Sequence, residues 1–154
     1  MNSILKIKKK LADYCVYQDR SHWEVEKKIK EASYLNEEEK GEIIIWLIQN
    51  NFLNEERFAK AYVKGKFNQK QWGRNKIIIG LKQKRVPEKL IDIALNEIDE
   101  EAYQATLEIV ADKKWNSLIE NTAISKKKKL ISFLIQKGYE NQLIYDLIKI
   151  KYSD

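Results

Sequence analysis

Residues 75–98 read NKIIIGLKQKRVPEKLIDIALNEI, and residues 128–151 read KKLISFLIQKGYENQLIYDLIKIK. A shift of 53 places maps Ile77, Leu81, Val86, Leu90, Ile91 and Leu95 onto Leu130, Leu134, Tyr139, Leu143, Ile144 and Ile148. All six pairs are apolar. Their spacing is that of two helical stripes separated by a break. Further upstream, Trp23, Val25, Ile29, Ile43 and Leu47 form a looser copy with extra residues in the turn. A pattern that returns after about fifty residues marks tandem helical units. We therefore expect an all-α protein: three tandem three-helix repeats in an elongated, curved array, at residues 1–53, 54–99 and 100–154. Asp99, Glu100 and Glu101 form the second junction. Units this small bury little surface alone, so neighbours are expected to pack on each other.

Local signals agree with helices. Asn54 is a cap, with Glu55 and Glu56 in the first turn, where the helix dipole favours acids. Phe58, Ala59, Ala61, Tyr62, Val63 and Phe67 make the apolar face of that helix, and Arg57, Lys60 and Lys64 a basic one. Asn75 is the expected cap of the next helix, which ends on Lys82, Lys84 and Arg85. Val86 and Pro87 break it, with Pro87 at the first position of another helix. Asn36 should cap a helix that starts with Glu37, Glu38 and Glu39. Lys126 to Lys129 should open a helix after Ser125, at the end of a loop lengthened through Trp115 to Ser125. Five Gly and one Pro argue against a strand-and-turn architecture.

Charge points to a partner. Between Arg57 and Arg85 there are ten Lys or Arg and no Asp or Glu, whereas the whole chain has a net charge of only +6. A basic segment of this kind suits a polyanion or an acidic protein surface, and a solvated helix face is the competing explanation. The residues expected to contact the partner are Lys64, Lys66, Lys70, Trp72, Arg74, Lys76, Lys82, Lys84 and Arg85. Trp72 reads as helix-junction packing or as a stacking surface, and Gly73 as a backbone requirement between helices.

No constellation for catalysis is present. His22 is the only histidine and has no second ligand at metal spacing, so we expect no metal, no cofactor and no enzymatic activity. Cys15, the single cysteine, reads as a buried small apolar residue in a reducing compartment. The longest apolar run, Ile43 to Ile48, is too short to span a bilayer. A cytoplasmic monomer without membrane contact is expected.

The run from Leu53 to Val63, LNEERFAKAYV, resembles the signature of the RecX family, bacterial regulators of the RecA recombinase. Trp72, Gly73, Ile77, Leu81, Lys84 and Val86 match the family's second segment, and Arg20, Ser21, Glu24, Val25, Lys28 and Ile29 its first-repeat motif. Asn54 stands where an Asp is common. The resemblance implies tandem three-helix repeats and binding along the groove of RecA–DNA filaments, with single- or double-stranded DNA inside the filament. It also implies inhibition or modulation of ATP hydrolysis, strand exchange and coprotease activity. Two alternatives stay open: a free-standing helical DNA-binding protein that uses residues 77–98 as a helix-turn-helix, and a helical scaffold for an unrelated acidic protein.

Overall fold

The computed structural model describes residues 3–152, in which every regular element is a helix. In chain order these are α1 (Ser3–Tyr17), α2 (His22–Ile29), α3 (Glu37–Gln49), α4 (Glu55–Lys70), α5 (Arg74–Gln83), α6 (Glu88–Leu95), α7 (Glu100–Ser117), α8 (Ala123–Lys137) and α9 (Asn141–Lys151). The all-α expectation holds.

Side-chain caps fix where most of these helices start. Ser21 and Glu24 form a capping box on α2, and Asn36 and Glu39 one on α3. The Asn54 side chain accepts from the Arg57 N–H at 2.9 Å, as the sequence suggests for α4. Asp99 accepts from Ala102 at the start of α7.

Three expected boundaries shift. Helix α5 starts at Arg74, so the Gly73 carbonyl, not Asn75, takes the first helical bond, from Ile77. Pro87 sits one residue ahead of α6, its carbonyl accepting from Leu90 and Ile91. Thr122, not Ser125, caps α8, and α7 continues through Trp115 to Ser117. The long loop expected through Trp115 to Ser125 is therefore only residues 118–122. Among the apolar positions, Ala61 is exposed and Tyr62 half-buried, so the buried stripe of α4 is Phe58, Ala59, Val63 and Phe67.

The chain divides into two compact units. One comprises Met1–Ala61 with Leu81–Ala94, and the other Tyr62–Gly80 with Leu95–Asp154, so α4 and α5 each contribute to both. In the first unit α1 packs on α2 and α3, and α2 on α3. Ile7, Leu11, Val25, Ile29, Ile43, Leu47 and Leu53 form its core, together with the buried thiol of Cys15, whose pKa burial raises. In the second, α7 packs on α8 and α8 on α9. Tyr103 lies against both Phe67 and Tyr139 there, with ring centroids 5.8 and 5.5 Å away.

The 53-residue echo is physical. Of the six pairs, Ile77/Leu130, Leu81/Leu134, Val86/Tyr139 and Ile91/Ile144 are buried in both copies, while Leu90/Leu143 and Leu95/Ile148 are half-buried in both. The helix ends match as well. Arg85 (φ 60°) and Gly138 (φ 102°) occupy the left-handed position. The following N–H groups, of Val86 and Tyr139, return to Leu81 and Leu134 at 3.1 Å.

Candidate functional site

The nine residues expected to face a partner fall in both units. Lys64, Lys66, Lys70, Trp72, Arg74 and Lys76 belong to the second, and Lys82, Lys84 and Arg85 to the first.

In the second unit, α4 ends on Gln71 in the left-handed conformation, and the Trp72 N–H returns to the Lys66 carbonyl at 3.1 Å. This sets the half-buried Trp72 ring between two ammonium groups, Lys66 Nζ at 4.8 Å and Lys76 Nζ at 4.4 Å from its centroid. Lys66 also lies 5.4 Å from the Tyr62 ring. Each such contact contributes ~0.5–1 kcal/mol at an exposed site. Trp72 thus sits half-buried in the turn between α4 and α5, with its ring flanked by cations. Lys64 and Lys70 are exposed.

The next backbone step explains Gly73. Its N–H donates to the Lys137 carbonyl at 2.8 Å, and the Asn75 N–H donates to that of Gly138 at 2.9 Å. A Cβ on Gly73 would lie well under 3.0 Å from the Gly138 carbonyl and the Tyr139 nitrogen.

Arg74 has a different role from its neighbours. Its guanidinium stacks 3.8 Å over Tyr103 and bonds Glu140 at 2.8 Å and also Glu100. The Tyr103 hydroxyl donates to Glu140 and accepts the Arg74 backbone N–H at 2.9 Å. Burial pulls the Arg74 pKa down, but the bonds to Glu140 and Glu100 outweigh it and raise it overall. Hydrogen bonds from Gln104 and Arg74 hold Glu100 below its ordinary value.

In the first unit, Lys84 Nζ bonds Glu24 at 3.2 Å, the same carboxylate that closes the capping box. Trp23 collects Lys27 at 4.3 Å, Arg85 at 5.7 Å and Lys84 at 5.9 Å. Lys82 and Arg85 are exposed.

The absence of acids inside the stretch does not leave all ten of its positive charges unpaired. Four of them reach carboxylates outside the stretch: Arg57 meets Asp19, Lys60 meets Glu56, Arg74 meets Glu100 and Glu140, and Lys84 meets Glu24. Arg57 is built into the fold most deeply. Its Nε donates to Asp19 at 2.6 Å, and its terminal nitrogens donate at 3.1 Å to the Asn51 side chain and to the Asn51 and Phe52 carbonyls. By contrast, no carboxylate among the described residues forms an ion pair with Lys64, Lys66, Lys70, Lys76, Lys82 or Arg85.

The second lysine run is partly occupied too: Lys126 lies 4.2 Å over Trp115, and Lys129 pairs with Glu120 at 3.2 Å. Among the described residues there is no cluster of metal-ligating side chains, and no helix is long and apolar enough to cross a membrane.

The architecture is that of an all-α repeat protein with lysines and tryptophans grouped on its surface. The chain belongs to the RecX family. Residues 54–95 match the family's second three-helix domain and residues 100–148 its third. Regulatory protein RecX of Clostridium tetani is 34% identical over 115 residues, covering 73% of this chain and 52% of that protein. The RecX of Clostridium botulinum strain Eklund 17B is 38% identical over 108 residues, 69% of this chain and 50% of the other. The chain thus spans about half the length of these curated relatives. The crystal structure of RecX from Lactobacillus salivarius is similar, with a TM-score of 0.86 at 25% identity, covering 96% of this chain and 95% of that one.

Proposed function

We propose that this protein is a non-enzymatic regulator that binds RecA–DNA filaments and inhibits RecA ATPase, strand exchange and coprotease activity. The observation that carries this reading is a coincidence of position. The acid-free stretch from Arg57 to Arg85 lies wholly inside the segment matched as the RecX second three-helix domain. Partner contacts would be made by Lys64, Lys66, Lys70, Trp72 and Lys76 in the second unit and by Lys82 and Arg85 in the first, and none of these six cations has a carboxylate partner among the described residues. Arg74 and Lys84, each tied to glutamates, would hold the contact residues of their own units in place. In this reading the chain works in the cytoplasm as a monomer, and its repeats are the units 1–53, 54–99 and 100–154. A filament combines DNA phosphates with protein, which suits lysines interleaved with an aromatic ring. By bridging neighbouring recombinase subunits, the bound protein would hinder the changes that accompany ATP turnover and filament growth.

The free-standing DNA-binding alternative is weaker. Glu88 and Asp92 are exposed on α6, which would be the reading helix, and carboxylates there would face phosphates. The test is RecA ATPase on single-stranded DNA with this protein added. The rate should fall with added protein and level off at saturation, and an unchanged rate at saturation would contradict the proposal.

A further inference from the structure

Two clefts on the α7–α8 face of the second unit share a wall. One, of about 330 Å³, is lined by Lys114, Lys128, Lys129, Phe133 and two polar side chains. The other, of about 230 Å³, brings Lys113, Lys114 and Lys137 to Val110 and the same Phe133. The shared wall is a single contact, Lys114 Nζ lying 4.8 Å over the half-buried Phe133 ring.

Five lysines line the pair, and the remaining positions are amides, hydroxyls and apolar groups; no carboxylate among the described residues lines either cleft. This sets them apart from the clefts of the first unit, which contain Glu24 and Glu31 or Glu31 alone. Among the described residues the Lys129–Glu120 pair is the one ion pair at these lysines. Lys137 donates to the Lys70 carbonyl at 2.9 Å. Burial first, and then the charges of Lys76, Lys113 and Lys70, hold its ammonium below its ordinary pKa. Such a concentration of like charge lowers its free energy by taking up an anion.

We propose that the paired α7–α8 clefts bind single-stranded nucleic acid, with Lys113, Lys114, Lys128 and Lys137 on backbone phosphates and a base stacked on Phe133. Phosphate neutralisation by lysines is independent of sequence, and stacking on an aromatic face requires a base that is free of a duplex. An acidic peptide would satisfy the charges but would leave the aromatic ridge without a stacking partner. This surface goes beyond the contacts assigned above to the central basic stretch.

The experiment is fluorescence anisotropy of a labelled oligothymidylate at several salt concentrations, with no recombinase present. The wild-type protein should bind at low salt, and binding should weaken steeply as salt rises. The double variant Lys114→Glu/Lys128→Glu should lose at least tenfold in affinity, and Lys114→Gln/Lys128→Gln should flatten the log–log salt slope by about 1.4. Phe133→Leu should cost about tenfold while leaving that slope unchanged. Circular dichroism would establish that each variant is folded. Wild-type affinity in folded variants would overturn the proposal, and so would displacement of the oligonucleotide by equimolar polyglutamate, or tighter binding to duplex. Because RecA is absent, this result and the ATPase result stand or fall separately.

Discussion

Gly73 packs backbone to backbone on Gly138, 65 residues further along the chain, with no room for a side chain on either. The helix start and helix end that meet there belong to α5 and α8, and the Trp72 cation cluster hangs from the same turn.

Gly73→Ala should therefore destabilise the protein by roughly 1–3 kcal/mol, because the obstruction is backbone and cannot rotate away. Gly41, in α3, has nothing within 4 Å of its Cβ position. Gly41→Ala should stabilise by roughly 0.4–1 kcal/mol. Urea denaturation of both variants checks the pair of signs.

Arg57→Lys keeps the charge but loses the fork that serves Asp19, Asn51 and Phe52 together. We expect a loss of about 1–3 kcal/mol in stability, with filament affinity per folded molecule unchanged. An unchanged denaturation midpoint would show that the clamp contributes little.

Arg85 takes the left-handed cap position that Gly138 occupies one repeat later. Arg85→Gly should relieve about 1 kcal/mol of backbone strain and raise the melting temperature. In the proposed function it should also weaken filament binding. Stability and binding would then move in opposite directions at one residue.

Burial pushes the Tyr139 phenol up to about 12, while its hydroxyl donates to the Gln71 carbonyl at 2.7 Å. A raised folded-state pKa means that the stabilisation is fully present below the unfolded value near 10. It is lost as pH rises from there through about 12. Stability should fall across that window by on the order of 2 kcal/mol from this residue. Tyr139→Phe should begin less stable at neutral pH and show a shallower alkaline decline, measured by denaturation at a series of pH values.

Much of the fold was legible because apolar period is a local property. Six residues and their images 53 places on share burial class pair by pair, and Asn36 and Asn54 cap the helices that follow them. Boundaries at Arg74 and Ala123 were less legible. The start of α5 is set by a distant strap, Gly138, and α8 starts early because Thr122 caps ahead of Ser125. The site was legible in composition but not in pairing. Arg57, Arg74 and Lys84 find their acids 38, 66 and 60 residues away, beyond any local count of charge. Nor does the sequence pattern bring Lys114 to Phe133, since the two lie on different helices.

The most direct measurement is co-sedimentation with RecA filaments on single-stranded DNA at physiological salt. Wild-type protein is compared with the Lys64→Glu/Lys70→Glu/Lys82→Glu variant, whose three positions are exposed and free of ion pairs among the described residues. The wild-type protein should pellet with the filaments, and the folded triple variant should stay in the supernatant. Wild-type protein left in the supernatant, or equal pelleting of the two, would contradict the account.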